Sequence, residues 1–257
     1  MNIGIYDSGL GGLSVMQAIR QLLPHHNLNY LADTAYCPYG PRATSEVQAR
    51  ALACVRWLMA RGAGIVVVAC NTASSAALES LRAALPIPIV GMEPGLKPAI
   101  AATRTQQIGV LATDGTLAGG RFASLVERFA AGVTIQTVPC PDLVQQVERG
   151  DLYGSATRTI LTRYLAPLLA SKVDTLVLGC THFHFLAPVI SQLAGPEVTL
   201  IETASPVARR VAQLVAATGL PSGAGQILFA TTADPAQVSP ALANILGKHL
   251  PLTHADC

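Results

Sequence analysis

Charge is scarce in this chain: 12% of its 257 residues are Asp, Glu, Lys or Arg, the net charge is +2, and aromatic residues make up 5%. With 51% apolar residues such a composition excludes intrinsic disorder and allows a sizeable core, in one large domain or two small ones. The basic residues are scattered with no stripe among them, so the electrostatic footprint of a nucleic-acid binder is missing. No apolar run approaches the roughly 18 residues that a membrane span needs. Met1 to Tyr6 has no charged leader or cleavage pattern and reads as a strand, so a cytoplasmic protein is expected. The cysteines, Cys37, Cys54, Cys70, Cys140, Cys180 and Cys257, contain no C-x-x-C pair, which argues against a zinc ribbon or a thioredoxin-like motif and leaves reduced thiols as the expectation. Lysine is rarer still. Lys97, Lys172 and Lys248 are the only three, and none ends an apolar strand where it could hold pyridoxal as a Schiff base.

What is present centres on Ile65 to Ser75. A run of β-branched residues without a polar member reads as a strand buried on both faces, and Asn71-Thr72 can cap a helix starting near Ala73. Cys70 then sits at the carboxyl edge of a parallel sheet, facing free helical N–H groups that bias a thiol toward thiolate. About 110 residues on, Asp174 to Phe183 repeats the pattern: an apolar strand, then Cys180 and Thr181.

The repetition extends along the chain. Strands at Ile3 to Tyr6, Leu28 to Ala32, Ile65 to Ala69 and Ile87 to Val90 match later ones at Ile108 to Leu111, Thr134 to Val138, Thr175 to Leu178 and Thr199 to Ile201, at offsets of about 105–111 residues. Helices are expected at Leu13 to Leu23, Thr44 to Arg61, Ser74 to Ala84, Pro206 to Thr218 and Pro235 to Leu246, with a further strand at Ile227 to Ala230 and a surface loop from Gly219 to Gly225. The reading is α/β, with two pseudo-symmetric, mostly parallel, doubly wound domains: residues 1–97 with 206–257, and residues 98–205. A site is expected in the cleft between them. Moving a proton off one face of a carbon and onto the other requires two acid/base groups on opposite sides, and like halves facing each other supply them.

The turn Asp7-Ser8-Gly9-Leu10-Gly11-Gly12, with Asp33 closing the second strand, invites a dinucleotide reading. Ser14 stands where the third glycine belongs, and Asp7 sets a carboxylate where pyrophosphate would lie. The remaining readings are a purely structural tight turn and a small-molecule site in which Asp7 orients or polarises a thiol.

Four motifs, Asp7 to Gly12, Pro38-Tyr39-Gly40, Ala69 to Ser74 and Gly179-Cys180-Thr181-His182, resemble in order and spacing those of glutamate racemase, a cofactor-independent enzyme that supplies D-glutamate for peptidoglycan. Thr113 to Thr116 resembles a fifth, and the likeness runs over essentially the whole chain. The resemblance implies Cys70 and Cys180 as the two bases, Asp7 assisting the first and His182 the second. It implies a substrate bed of Ser8, Pro38, Tyr39, Gly40, Asn71, Thr72, Thr113, Thr116 and Thr181, with Glu148 as an acidic residue near the site. No cofactor and no metal are expected, and the expected partners are glutamate and a second copy of the chain.

The chain departs from the family pattern in places. His182-Phe183-His184-Phe185-Leu186 replaces the usual His-Tyr-Pro-Leu-Leu, and Glu202-Thr203 replaces Asp-Ser. Cys180-x-His182-x-His184 suggests metal ligands, but the sequence shows no acidic or thiol partner nearby, and His184 is expected to be a hydrogen-bonded, partly buried ring. Cys37, Cys54, Cys140 and Cys257 are expected to be inert. Two other readings stand beside the racemase: an aspartate-type racemase or one-cysteine decarboxylase of the same fold, and a silent binding protein. Aspartate-type members are expected to carry Glu where this chain has His182, and two intact cysteines argue against the one-cysteine enzyme and the binder.

Overall fold

The computed structural model describes residues 1–257. The first pass of the chain runs β1 (Asn2–Asp7), α1 (Leu13–Leu22), β2 (Leu28–Ala32), α2 (Thr44–Ala60), β3 (Ala63–Val68), α3 (Asn71–Ala84), β4 (Ile89–Gly91) and α4 (Leu96–Ala102). The second runs β5 (Gln107–Ala112), α5 (Asp114–Leu117), α6 (Gly120–Phe129), β6 (Thr134–Pro139), α7 (Pro141–Glu148), α8 (Ser155–Ala170), β7 (Thr175–Leu178), α9 (Ala187–Ala194) and β8 (Thr199–Ile201). The chain ends through α10 (Ala204–Thr218), β9 (Ile227–Thr231), α11 (Pro235–Leu246) and β10 (Thr253–His254).

Two separate parallel sheets result, ordered β10-β9-β2-β1-β3-β4 and β6-β5-β7-β8. The four strands of each pass take the same order, second-first-third-fourth, so the two domains repeat one topology. In such a sheet the chain leaves the first strand in opposite directions, and ligands collect outside the carboxyl ends at that switch point. Here the switch points lie between β1 and β3 and between β5 and β7. The last segment returns to the first sheet: Ile227 pairs opposite Leu28, and α10 places Val207 and Val211 in the core beside Leu13 and Val15 of α1.

Burial explains why β3 is continuously apolar. Ile65 and Val67 pack into one core with Ile3, Ile5 and α1, while Val66 and Val68 pack into another with Tyr6, Val55 and Leu58. Each such side chain contributes about 1.5–3 kcal/mol by leaving water. In the second sheet Leu176 and Leu178 face α7 and α8, whereas Val177 faces α4 and α6. No helix is long and apolar enough to cross a membrane.

Three local expectations change. The helix after β3 starts at Asn71, and Cys70 caps it, its Sγ accepting from the Ala73 N–H at 3.4 Å. Strand β4 starts at Ile89, because Pro88, having no N–H, enters the ladder only as acceptor for Val66 N. Thr181–Leu186 is a 3-10 turn, not a continued strand, so alternate residues there do not share a face.

Candidate active site

Strand β1 delivers Asp7, fully buried, to its switch point. Its Oδ2 accepts from Gly9 N at 2.9 Å, and its Oδ1 accepts from the Thr181 hydroxyl of the other domain at 3.2 Å. Burial pushes its pKa up, the nearby His182 and the Gly9 N–H pull it back, and the net shift is upward. The glycines of this turn serve close approach. A Cβ at Gly9 would stand 2.1 Å from Glu148 Oε1, and one at Gly11 2.4 Å from His182 Nδ1. The turn is therefore filled by side chains of the second domain, where the dinucleotide reading would place a phosphate.

Cys70 is 5% exposed beyond the end of β3. Its neutral thiol donates to Ser8 Oγ at 3.5 Å, and as thiolate it would accept from that hydroxyl and from Ala73 N. Burial nevertheless pushes the thiol up to about 12, and the charge of Asp7 adds to the effect. The bias toward thiolate expected from its position at the helix start is overturned. Desolvation of a buried thiolate outweighs a single long N–H contact. Asp7 makes no hydrogen bond to Cys70.

Cys180 follows β7 and heads a row of three groups. Its Sγ lies 3.6 Å from His182 Nδ1, and His182 Nε2 lies 2.6 Å from Glu148 Oε1, which also accepts from Leu10 N at 2.6 Å. Burial alone would lower the His182 pKa. The hydrogen bonds to Cys180, Cys37 and Glu148 outweigh it and hold the ring well above its usual value. The Cys70 and Cys180 thiols are close enough that a charge on Cys180 raises Cys70.

A cluster of small polar groups lies at the starts of α3 and α5. Thr72 Oγ1 is 2.8 Å from Thr113 Oγ1, which is 3.0 Å from Thr116 Oγ1. Gly40 lies against Thr113, a Cβ there falling 3.3 Å from its Cβ. Asn71 is 5% exposed, yet neither its Oδ1 nor its Nδ2 has a partner. A buried amide with open donors and acceptor costs about 1–3 kcal/mol unless a ligand or water completes it. Tyr39 departs from expectation. Its hydroxyl donates to Asp33 at 2.5 Å and accepts from Tyr6 at 2.7 Å, so the ring is turned inward and the Pro38-Tyr39-Gly40 loop offers the bed only main-chain groups from Tyr39.

The sequence reading missed Cys37, whose neighbours come from far along the chain. It packs on His182, burial and the Glu148 charge pushing its thiol up to about 12. Cys37, Glu148 and His182 offer three ligand atoms within 4.8 Å of one another, so the acidic and thiol partners that the sequence did not show are present for His182. Zinc ligands in a tetrahedron stand about 3.3 Å apart, given bonds of about 2.0–2.1 Å, whereas the 2.6 Å between His182 and Glu148 is the length of a direct hydrogen bond. His184 turns away. Its Nε2 has no partner, burial lowers its pKa to about 4, and its charged neighbour is Glu202. A cavity of about 840 Å³ is lined by Arg82, Lys97, Arg121 and Arg210 with Glu93 and Glu202, and neither Cys70 nor Cys180 lines it.

The profile of the Asp/Glu/Hydantoin racemase family matches residues 9–211. The chain is 50% identical over 218 residues to a glutamate racemase of Methylococcus capsulatus, covering 85% of this chain and 80% of that one. Among solved structures it is similar to a glutamate racemase isoform of Bacillus anthracis, with a TM-score of 0.88 and 32% identity over 99% of this chain and 97% of that chain. It is also similar to the Escherichia coli glutamate racemase in complex with L-glutamate and the activator UDP-MurNAc-ala, with a TM-score of 0.86 and 31% identity over 98% and 97% of the two chains. Its sequence and its paired parallel sheets place this chain in the Asp/Glu/Hydantoin racemase family.

Proposed function

We propose that the chain interconverts L- and D-glutamate without a cofactor, using Cys70 and Cys180 as bases on opposite faces of the substrate. The observation that carries the reading is that two buried thiols follow equivalent strands of two like sheets, one of them next to an unsatisfied amide, Asn71. One thiolate takes the α-proton; the other thiol donates to the opposite face of the carbanion. Each turnover leaves the two protonation states exchanged. The His182–Glu148 pair stores the proton beside Cys180, and the Ser8 hydroxyl and Ala73 N–H stabilise negative charge on Cys70. Asp7 positions Thr181. Asn71, Thr72, Thr113, Thr116, Thr181, Ser8 and the main chain at Pro38, Tyr39 and Gly40 hold the zwitterion and its side-chain carboxylate.

Glutamate is favoured over aspartate because the relatives at about half identity carry the glutamate name, and because His182 stands where aspartate-type members are expected to carry Glu. A bed that fixes two carboxylates loses hydrogen bonds to a side chain one methylene shorter. The biological setting of this reading is D-glutamate supply for peptidoglycan in the cytoplasm, by a homodimer. Residues 1–97 with 206–257, and residues 98–205, would move apart to admit substrate between the two thiols.

Polarimetry with L- and D-glutamate and L-aspartate, followed by turnover in D₂O, tests the reading. Early product should carry deuterium at Cα while unreacted glutamate retains hydrogen, in both directions. Cys70→Ser or Cys180→Ser should abolish most racemisation with the fold intact. Near-full activity of either variant, or equal early deuterium in substrate and product, overturns the two-thiol mechanism; comparable turnover of aspartate overturns the specificity.

A further inference from the structure

Away from the chamber, Cys54 of α2 and Cys257, beyond β10, bring their sulfur atoms to 4.0 Å. From the sequence both were expected to be inert, and their proximity exists only because β9 and β10 extend the first sheet over α2. The two thiols differ. Cys54 is fully buried, whereas Cys257 is partly exposed. Arg50, one helical turn before Cys54, holds Nη2 at 4.0 Å from the Cys54 sulfur and is itself fixed by two bonds to buried Asp33, at 2.9 and 2.7 Å. The other cysteines have no comparable thiol at hand: Cys70 bonds Ser8, Cys180 bonds His182, and Cys140 donates to the Val138 carbonyl at 3.2 Å.

We infer that Cys257 and Cys54 are a peroxide-oxidisable pair, Cys257 reacting first and Cys54 resolving it to an intramolecular disulfide. The hydrogen bond from Cys54 brings Cys257 down to about 7, the positive charge of Arg50 reinforcing it against burial, while the same contact and burial raise Cys54. The exposed member is thus the nucleophile and the buried one stays a thiol. The Cys257 thiolate attacks hydrogen peroxide: a sulfur–oxygen bond forms, the oxygen–oxygen bond breaks, and the leaving hydroxide takes a proton as water. Cys54 sulfur then attacks the resulting sulfenic acid. The sulfur–sulfur bond forms, the sulfur–oxygen bond breaks, and the hydroxide leaves as a second water with the Cys54 proton. Two thiols lose two electrons and one peroxide gains them. Closure requires the sulfurs to move from 4.0 Å to about 2.05 Å, and the Cys257 end supplies the motion, because it lies two residues past the last sheet bond, Ala255 N to Thr231 O.

The link would tie the segment after β10 to α2, directly over the Arg50–Asp33 pair. Asp33 also accepts from Tyr39 and from Thr232, so the clamp closes on the network that turns the Tyr39 ring inward. It is independent of the reaction proposed above.

The test exposes the reduced full-length chain to a small excess of hydrogen peroxide, quenches with iodoacetamide and maps tryptic peptides without reductant. The expected product joins the peptide Ala51–Arg56 to the one carrying Cys257 and disappears with dithiothreitol. Cys257→Ser should leave Cys54 alkylated and no cross-link, and Cys140→Ser should form the cross-link as the parent does. Because the closed loop is long, the oxidised parent should melt roughly 5 °C or more above the reduced one, a gain absent in Cys257→Ser. Recovery of both cysteines alkylated, conversion of Cys257 to sulfinic acid with Cys54 free, or pairing of Cys257 with any other cysteine overturns the inference.

Discussion

Glu148 Oε1 lies 2.6 Å from His182 Nε2 and 2.6 Å from Leu10 N, so one carboxylate oxygen of the second domain both holds the imidazole and grips the glycine-rich turn of the first. The Thr181–Asp7 bond crosses the same gap at 3.2 Å. The bonds that hold His182 beside Cys180 therefore also join the two domains.

The first prediction follows from that sharing. Glu148→Gln keeps the size of the side chain and removes the charge that helps raise His182. A raised imidazolium keeps its proton to higher pH, so losing the carboxylate makes His182 release its proton at lower pH. The alkaline limb of the kcat profile should move down, and kcat near neutrality should fall about 10- to 100-fold. An unshifted profile would show that His182 takes no part in the proton path.

A second prediction concerns space. Gly11→Ala would put a Cβ 2.4 Å from His182 Nδ1, on the side that faces Cys180, and the ring must move. A loss of at least about tenfold in kcat is expected, because misplacing an acid/base group by about 1 Å costs on that order or more. Gly120→Ala, which meets nothing within 4 Å at the start of α6, serves as the control. Equal kcat for the two variants would mean that the turn has slack to absorb a methyl group.

Much of this was legible in the sequence, for a physical reason. A strand buried on both faces must be apolar throughout, so β3 and β7 announce themselves, and a residue directly after such a strand in a parallel sheet lands at its carboxyl edge. The matching offsets gave the repeated topology. What stayed hidden depends on distant partners. Leu10 and Glu148 are 138 positions apart, and Cys54 and Cys257 are 203 apart, so no local pattern connects them. The inward turn of Tyr39 depends on Asp33, which is near in sequence, but also on Tyr6 and Arg50. The expected Cys70 thiolate failed because a motif reports the helix start and not the depth of burial.

Asn71 separates binding from stability. Its amide has no partner among the protein's own groups, so Asn71→Ala removes an unsatisfied polar group and should leave the melting temperature within a few degrees of the parent. Bound glutamate would complete those bonds, and KM should rise about 10- to 100-fold, one or two hydrogen bonds to a charged group being worth roughly 1.5–3 kcal/mol. Loss of stability with unchanged KM would make Asn71 a structural residue.

The last prediction lies at the opposite end of β7 from Cys180. Asp174 is 7% exposed and accepts from the Thr103 hydroxyl at 2.6 Å, Arg104 N at 2.7 Å, Thr105 N at 2.8 Å and the Thr175 hydroxyl at 3.0 Å, fastening the turn before β5 to the start of β7. Burial pushes this carboxyl up, but the four donors outweigh it and lower the pKa from 3.8 to about 2. A folded-state pKa below the unfolded value contributes stability that is present above about 3.8 and is lost as pH falls toward about 2. The depression is worth on the order of 2 kcal/mol. Asp174→Asn should therefore be less stable than the parent at pH 6 by about 1–3 kcal/mol in urea unfolding, and the gap should narrow at about pH 2.5 as the parent's own carboxyl takes up its proton. Racemase turnover at neutral pH should be unchanged, since Asp174 touches no residue of the chamber. A gap that stays constant from pH 6 down to about 2.5 would show that the four bonds hold the turn by shape rather than by charge.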